Sequence, residues 1–241
     1  MADIVMVYRM LAKEIAQENG LYITFMPKPI YGAAGNGMHT HQSLFVGDTN
    51  IFFDPNDKYY LSKEAKCYMA GLLEHASEIT LICNQWVNSY KRLVVGYEAP
   101  VYICWARRNR SALIRVPMYK PNKEKATRIE FRSPDPACNP YLAFACMLSA
   151  GLSGIENNYS LPEPLERDVY NLTFDEIQEL GIKCLPGSLI EAIEIAETSK
   201  LVKETLGEHI FKNLILSKKI EWDTYRKQVH EYEIKTYLPI L

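Results

Sequence analysis

No apolar run in this chain approaches the roughly 20 residues that a membrane-spanning helix requires. The opening MADIVMVYRMLAKE lacks the basic head, apolar run and small-residue cleavage site of a secretory leader. No CxxC pair occurs among Cys67, Cys83, Cys104, Cys138, Cys146 and Cys184, which predicts reduced core thiols in a cytoplasmic protein. Neither a GxxxxGK[ST] loop nor a GxGxxG turn is present, so a P-loop or Rossmann enzyme is disfavoured. There is no internal repeat and no low-complexity tract. Histidine is scarce, at five residues.

What remains is the composition of a globular chain, 48% hydrophobic and 23% charged over 241 residues, long enough for one large core. The net charge of −2 speaks against a general nucleic-acid binder. The charge is uneven, however. Eleven Lys and Arg meet three Glu between Lys91 and Arg132, a local +8 that leaves −10 for the remainder. A basic segment inside an acidic chain suits a confined anionic ligand such as a small phosphate compound. The plainer alternative is a solvated basic face.

Ile4, Val5, Tyr8, Leu11 and Ile15 recur at helical spacing, and Gly20 follows as a stop. Leu21–Phe25 mixes β-branched and aromatic residues and predicts a strand. Pro27, Pro29, Gly32, Gly35 and Gly37 make a backbone-exposed loop, after which Met38–Phe45 alternates as a strand. Ser62 is placed to cap a helix with Met69, Leu72, Leu73, Ala76, Ile79 and Cys83 on one face. Val101–Ala106 and Ser111–Val116 read as strands on either side of the polar turn Arg107-Arg108-Asn109-Arg110, and Arg128–Arg132 as a third. Asn139 caps, and Pro140 starts, an apolar helix running to Gly151. Ser188-Leu-Ile-Glu191 is a capping box. The chain beyond it reads as mostly helical, ending in an amphipathic tail of Trp222, Tyr225, Val229, Tyr232, Ile234, Tyr237 and Leu238. The expected fold class is α+β: a largely antiparallel sheet flanked by helices, with a helical C-terminal tail.

Two of the five histidines stand two residues apart, behind two glycines. On a strand, residues i and i+2 share a face, so His39, His41 and Ser43 line one wall beside a glycine-rich loop. The alternative is a pair of half-exposed strand histidines without a role. The same spacing recurs at Arg128-Ile-Glu130-Phe-Arg132, with Glu130 between two arginines and Ile129 and Phe131 turned to the core. That carboxylate is either part of a salt-bridge network or a metal ligand beside an anion clamp. His39 with Glu130 makes half of a site for Mg²⁺ or Mn²⁺. Arg110 and Arg115 add guanidinium forks suited to phosphate or carboxylate. A glycine loop, an arginine wall and a metal half-site together fit phosphoryl transfer, which is mainly positioning and charge neutralisation.

Several blocks together resemble glutamine synthetase of type I. They are Phe-Met-Pro-Lys-Pro, Gly-Met-His-Thr-His-Gln-Ser, Asn-Ser-Tyr-Lys-Arg-Leu-Val-Val-Gly-Tyr-Glu-Ala-Pro, Arg-Arg-Asn-Arg-Ser-Ala-Leu-Ile-Arg-Val-Pro and Arg-Ile-Glu-Phe-Arg-Ser-Pro-Asp-Pro-Ala-Cys-Asn-Pro-Tyr-Leu. Their order and spacing agree with that family from Leu21 to Gly154, and Tyr225-Arg226 with Tyr232-Glu233 is similar to its last helix. The resemblance implies ATP-dependent ligation of L-glutamate and ammonia through a γ-glutamyl phosphate, with Mg²⁺ or Mn²⁺. It also implies a cytoplasmic homo-oligomer of two stacked six-membered rings, and no nucleic-acid or membrane partner.

The resemblance also implies roles. His39 and Glu130 would ligate metal. His41, Gln42, Ser43, Arg115 and Lys125 would contact the nucleotide, with Lys123 as a rival to Lys125. Gly35, Arg92 and Arg132 would meet glutamate. Glu98 would close the site and deprotonate ammonium, and Arg110 would stabilise the transferring phosphoryl group. Ala34 and Val95 depart from the family pattern, which has an amide-bearing residue and a proline there. Tyr170 lies near a position that some type I enzymes adenylylate. Residues 1–160 match the C-terminal part of the catalytic domain and 161–241 its helical C-terminal region. The N-terminal β-grasp domain and the first half of the catalytic domain have no counterpart in this sequence, so the chain reads as a fragment. The alternatives are a γ-glutamyl-amine ligase using a polyamine, in which Arg92 persists and the ammonium pocket changes, and a non-catalytic oligomerisation module.

Overall fold

The computed structural model describes residues 1–96, 99–107, 109, 111–167 and 174–241. The chain opens with α1 (Ala2–Glu18), followed by β1 (Thr40–Gln42), β2 (Phe45–Val46) and β3 (Thr49–Asn50). Three helices come next: α2 (Lys63–Glu74), α3 (Ala76–Cys83) and the single turn α4 (Ser89–Arg92). Strands β4 (Tyr102–Ala106), β5 (Ala112–Arg115) and β6 (Ile129–Phe131) follow, with a 3₁₀ turn at Glu124–Ala126 before the last. The rest is helical: α5 (Pro140–Glu156), α6 (Phe174–Glu179), α7 (Leu189–Thr198), α8 (Lys200–Tyr225) and α9 (Glu231–Tyr237).

One sheet has the order β1-β6-β5-β4, and β2 and β3 form a separate hairpin. The α+β class holds. β1 with β6, β6 with β5, and β2 with β3 are antiparallel, but β4 and β5 run parallel. Strands so near in sequence ordinarily make a hairpin. Here both are buried on nearly every residue, the pattern of a parallel strand covered on both faces. With no polar face to orient, alternation could not reveal the direction.

The capping signals work locally. The Ser62 hydroxyl accepts from Ala65 N–H at 3.1 Å and starts α2. The Asn139 side chain accepts from Tyr141 and Leu142 N–H, with Pro140 at the first helical position of α5. Ser188 accepts from Glu191 N–H, while the Glu191 carboxylate accepts from the Ser188 hydroxyl and from Gly187 N–H rather than from the backbone N–H of the cap residue. The long helix expected from Ser62 breaks at His75, which ends α2 and begins α3. The strand expected at Leu21–Phe25 does not form. That segment has no strand beside it and Tyr22 is 93% exposed. Composition cannot make a strand whose backbone groups find no partner.

The core is built on α2 against α5. Gly71 and Gly154 bring these helices together backbone to backbone, and Gly151 makes room for the Tyr68 ring: a Cβ on Gly71 would lie 2.2 Å from Ala150 O, and one on Gly154 2.1 Å from Cys67 O. Phe52, Met69, Leu72, Ile79, Ile114, Ile129, Phe131 and Met147 fill the centre. Leu189, Ile193, Val202, Phe211 and Ile215 from α7 and α8 join the same cluster, so the helical region shares its core with the sheet. Five cysteines are buried and all six are free; Cys184 is exposed, unlike the expectation for it. α1 has no buried residue. It is tied down by Arg9 Nη1 donating to Cys138 O at 3.0 Å and by Tyr141 donating to Asp3, while its Ile4, Tyr8, Leu11 and Ile15 stripe faces solvent. Among the described residues no helix is long and apolar enough to cross a membrane.

Candidate active site

The strand registers assemble the site. His41 stands opposite Glu130 across the β1–β6 pair, and Arg115 stands opposite Glu130 across β5–β6. Directly opposed residues share a face, and so do residues two apart. The alternation therefore puts His39, His41, Glu130, Arg132 and Arg115 on one side of the sheet. Ile129, Phe131 and Ile114 fall on the other, in the core.

Glu130 is the hub and is 3% exposed. Its Oε2 accepts from Arg115 Nε at 2.7 Å and pairs with Nη2 at 2.5 Å. Its Oε1 accepts from Arg132 Nη1 at 2.9 Å and lies 3.0 Å from His39 Nδ1. Burial pushes the Glu130 carboxyl upward, but the Arg115 fork, the Arg132 charge and His39 outweigh it, and its pKa is lowered. The His39 ring is pushed down to about 4, first by burial and then by the Arg132 charge, with Glu130 opposing. His39 is thus neutral at physiological pH. With Nδ1–H donated to Glu130, Nε2 is left as the lone-pair atom. His41 is also lowered, first by burial, and accepts from Arg128 Nε at 3.1 Å.

Arg92 lies behind the glycine loop and is 3% exposed. Its Nη1 donates to Ser133 O at 2.7 Å and to Asn84 Oδ1 at 3.3 Å, and its Nη2 donates to Arg132 O at 3.1 Å. Asn84 in turn donates to Ser133 Oγ. Gly35 is required where the loop crosses this side chain: a Cβ there would sit 2.7 Å from Pro27 O and 3.0 Å from Arg92 Cγ. One on Gly37 would sit 2.9 Å from both Arg92 Nη2 and His39 Nε2. The loop glycines therefore allow backbone to lie directly on the arginine and the histidine.

Beside this cluster a cleft of about 700 Å³ is lined by Arg107, Arg115, Lys123 and Arg128, with Tyr59 and Tyr119. Lys123 lines it, whereas Lys125 points to solvent near Asp48, at 3.8 Å. A second cavity, about 580 Å³, borders His39, His41, Gln42 and Ser43. Gln42 occupies the opposite face of β1 from the two histidines: its Oε1 accepts from Tyr68 Oη at 2.7 Å, and its Nε2 reaches Thr40 Oγ1. Glu98, Arg110 and Tyr170 lie outside the described residues.

Two potential metal donors, His39 and Glu130, are adjacent, but both carboxylate oxygens already face guanidiniums. Among the described residues no three His, Cys, Asp or Glu side chains gather as an ion site. These residues alone do not fit a six-coordinate cation. Residue patterns missed Asn84, Ser133, Asp135 and Asn50, all buried polar groups. The available signal was a lone amide inside apolar text, as in Leu-Ile-Cys-Asn and Thr-Asn-Ile-Phe-Phe.

Comparison with known proteins shows the family. The family model described as glutamine synthetase, catalytic domain, matches residues 1–237. A glutamine synthetase of Mycolicibacterium smegmatis is 52% identical over the whole of this chain and 54% of its own length. One of Methanosarcina mazei is 50% identical over 100% of this chain and 53% of its own length, and one of Thermotoga maritima is 47% identical over 98% and 53%. The chain spans about half the length of the curated relatives it matches. Among solved structures, an ADP complex of GmaS superposes with a TM-score of 0.88 at 34% identity, covering 99% of this chain and 54% of that one.

Proposed function

Because the chain belongs to the glutamine synthetase catalytic-domain family, we propose that it forms part of an ATP-dependent glutamate–ammonia ligase. A γ-carboxylate oxygen of L-glutamate attacks the terminal phosphorus of ATP and ADP leaves. Ammonia then attacks the acyl carbon of the γ-glutamyl phosphate, loses a proton, and releases inorganic phosphate.

The observation that carries this reading is the convergence of His39, Arg115 and Arg132 on one buried carboxylate, Glu130, beside a basic cleft. Arg92, held rigid beneath Gly35, receives the substrate α-carboxylate. Arg115, with Lys123 or Lys125, neutralises the nucleotide phosphates, and His41 and Ser43 border the nucleotide. Gln42 serves by bracing β1 from behind through Tyr68. Arg132 meets glutamate, Arg110 steadies the transferring phosphoryl group, and Glu98 closes the site and takes the ammonium proton. The family use of a divalent cation, Mg²⁺ or Mn²⁺, calls on His39 and Glu130 together with donors beyond the described residues. Residues 1–160 and 161–241 act as two parts of one catalytic domain, in a cytoplasmic homo-oligomer of stacked rings.

The test is L-glutamine formation from L-glutamate, ammonium and ATP with Mg²⁺, followed by mass spectrometry. The chain alone should turn over poorly. Supplied with the segment of the M. smegmatis enzyme that it does not span, it should produce glutamine, and Arg92→Ala should stop it. No glutamine from the supplemented chain would overturn the proposal.

A further inference from the structure

The basic cleft is bordered by the segment from Lys123 to Arg128, and most of that segment has little anchorage of its own. Its 3₁₀ turn contains no buried residue. The Tyr119 hydroxyl reaches Glu124 Oε1 at 2.9 Å, but that contact is exposed. One buried side chain from a different part of the chain holds the backbone beneath it. Asn50, at the end of β3, is 6% exposed. Its Nδ2 lies 3.2 Å from Glu124 O, 3.3 Å from Lys125 O and 2.7 Å from Thr127 O. Two N–H bonds are thereby spread over three carbonyls of a single turn. The other end of the amide is fixed too, since Asn50 Oδ1 accepts from Phe52 N–H at 3.0 Å, and Phe52 is fully buried.

The geometry points to Asn50 as a positioning residue for anion binding in this cleft: we infer that its amide clasps the 124–127 backbone so that Lys123 and Arg128 are held against the cleft before a nucleotide arrives. This rests on the nucleotide reading of the cleft given above. The residue connects the two halves of the site. β3 follows β1, which carries His41, through the short strand β2, and the clasped turn leads directly into β6, which carries Glu130. No other side-chain type serves as well. Aspartate has the same shape but would bring an anionic oxygen against three carbonyl oxygens. Leucine has similar bulk but offers those carbonyls no donor, so the bonds that hold the turn are lost. A clasp that pre-forms the turn also removes the ordering cost that a flexible lysine loop would meet on binding.

The test compares the unsubstituted chain with Asn50→Asp and Asn50→Ala, and with Glu74→Gln, which changes an exposed acid at the end of α2, away from the turn. Trypsin reads the turn directly. Cleavage after Lys123 and Lys125 should accelerate about tenfold or more in both Asn50 variants, a factor that corresponds to about one net buried hydrogen bond. Glu74→Gln should leave it unchanged. Titration calorimetry with Mg²⁺–ATP reads the positioning role. Affinity should fall by about tenfold in Asn50→Asp, while the thermal midpoint moves by only a few degrees. Unchanged cleavage would overturn the clasp. Faster cleavage with unchanged ATP affinity would overturn positioning and leave Asn50 as a packing residue. Failure of the unsubstituted chain to bind ATP would instead overturn the nucleotide reading, and the positioning role with it. The cleavage rates would still judge the clasp separately.

Discussion

Replacing Glu130 with glutamine preserves the shape of the hub and removes its charge. Arg132, at 6% exposure, then faces a neutral amide where it had a carboxylate at 2.9 Å, and its Nε has no hydrogen-bond partner to fall back on. Arg115 loses its fork as well, but about a third of that side chain is in contact with solvent, so water recovers much of its share. Breaking a buried ion pair from one side costs about 3–5 kcal/mol, and the partial exposure of Arg115 places Glu130→Gln near 3 kcal/mol. For a chain of this size that lowers the thermal midpoint by about 6–12 °C. The double variant Glu130→Gln/Arg132→Met isolates the cause, because it removes the stranded charge together with its partner. We expect it to be at least about 2 kcal/mol more stable than the sum of the single effects predicts, measured by urea unfolding with unchanged m-values. Additivity within about 0.5 kcal/mol would refute the claim that one carboxylate holds the buried guanidinium in place.

Gly154→Ala should destabilise by about 1–3 kcal/mol through overpacking, because the new methyl meets Cys67 O at 2.1 Å and α2 must move; a urea midpoint within error of the parent would contradict the backbone contact. Asp135 offers a pH test. Burial raises its carboxyl pKa, against opposition from Ser89 and the Arg92 charge, so the folded chain keeps that proton to higher pH than the unfolded chain. Its contribution to stability is present below about pH 4 and is lost as pH rises through the folded-state value. Asp135→Asn should therefore gain on the parent progressively from about pH 4 upward, and parallel stability–pH curves would rule this out. Arg9→Ala should release α1: hydrogen exchange across residues 2–18 should quicken while the core amides of α2 and α5 keep their protection, since α1 buries no residue of its own. Equal loss of protection in both places would show α1 to be integral to the core.

Residue patterns carried the capped helices and the site face, for physical reasons that are local. Ser62 and Asn139 satisfy donors within their own first turns, and strand alternation alone puts His39 with His41 and Glu130 with Arg132. What depended on distant partners was not legible. Leu21–Phe25 has strand composition and no neighbour to pair with. The direction of β5 relative to β4 is set by burial on both faces, which a run of apolar letters leaves ambiguous. Gln42 shares a motif with His41, but the pleat turns it to Tyr68. Asn50 holds backbone carbonyls and Asn84 meets Ser133 across long stretches of chain, and nothing near them in sequence announces those partners.

The β1–β6 seam has a further consequence, for the order of events as the molecule forms. Thr40 and Phe131 meet although they are 91 positions apart, and closing so large a loop carries an entropic cost that only later contacts offset. Helices α2, α3 and α5 can gather before it shuts, but His41 and Glu130 are strangers until it does. A collapsed state would thus contain most of the apolar interior and lack the pairing of the histidine wall with Glu130. Any small molecule captured by the histidine wall would then select the finished molecule and draw the folding equilibrium toward it.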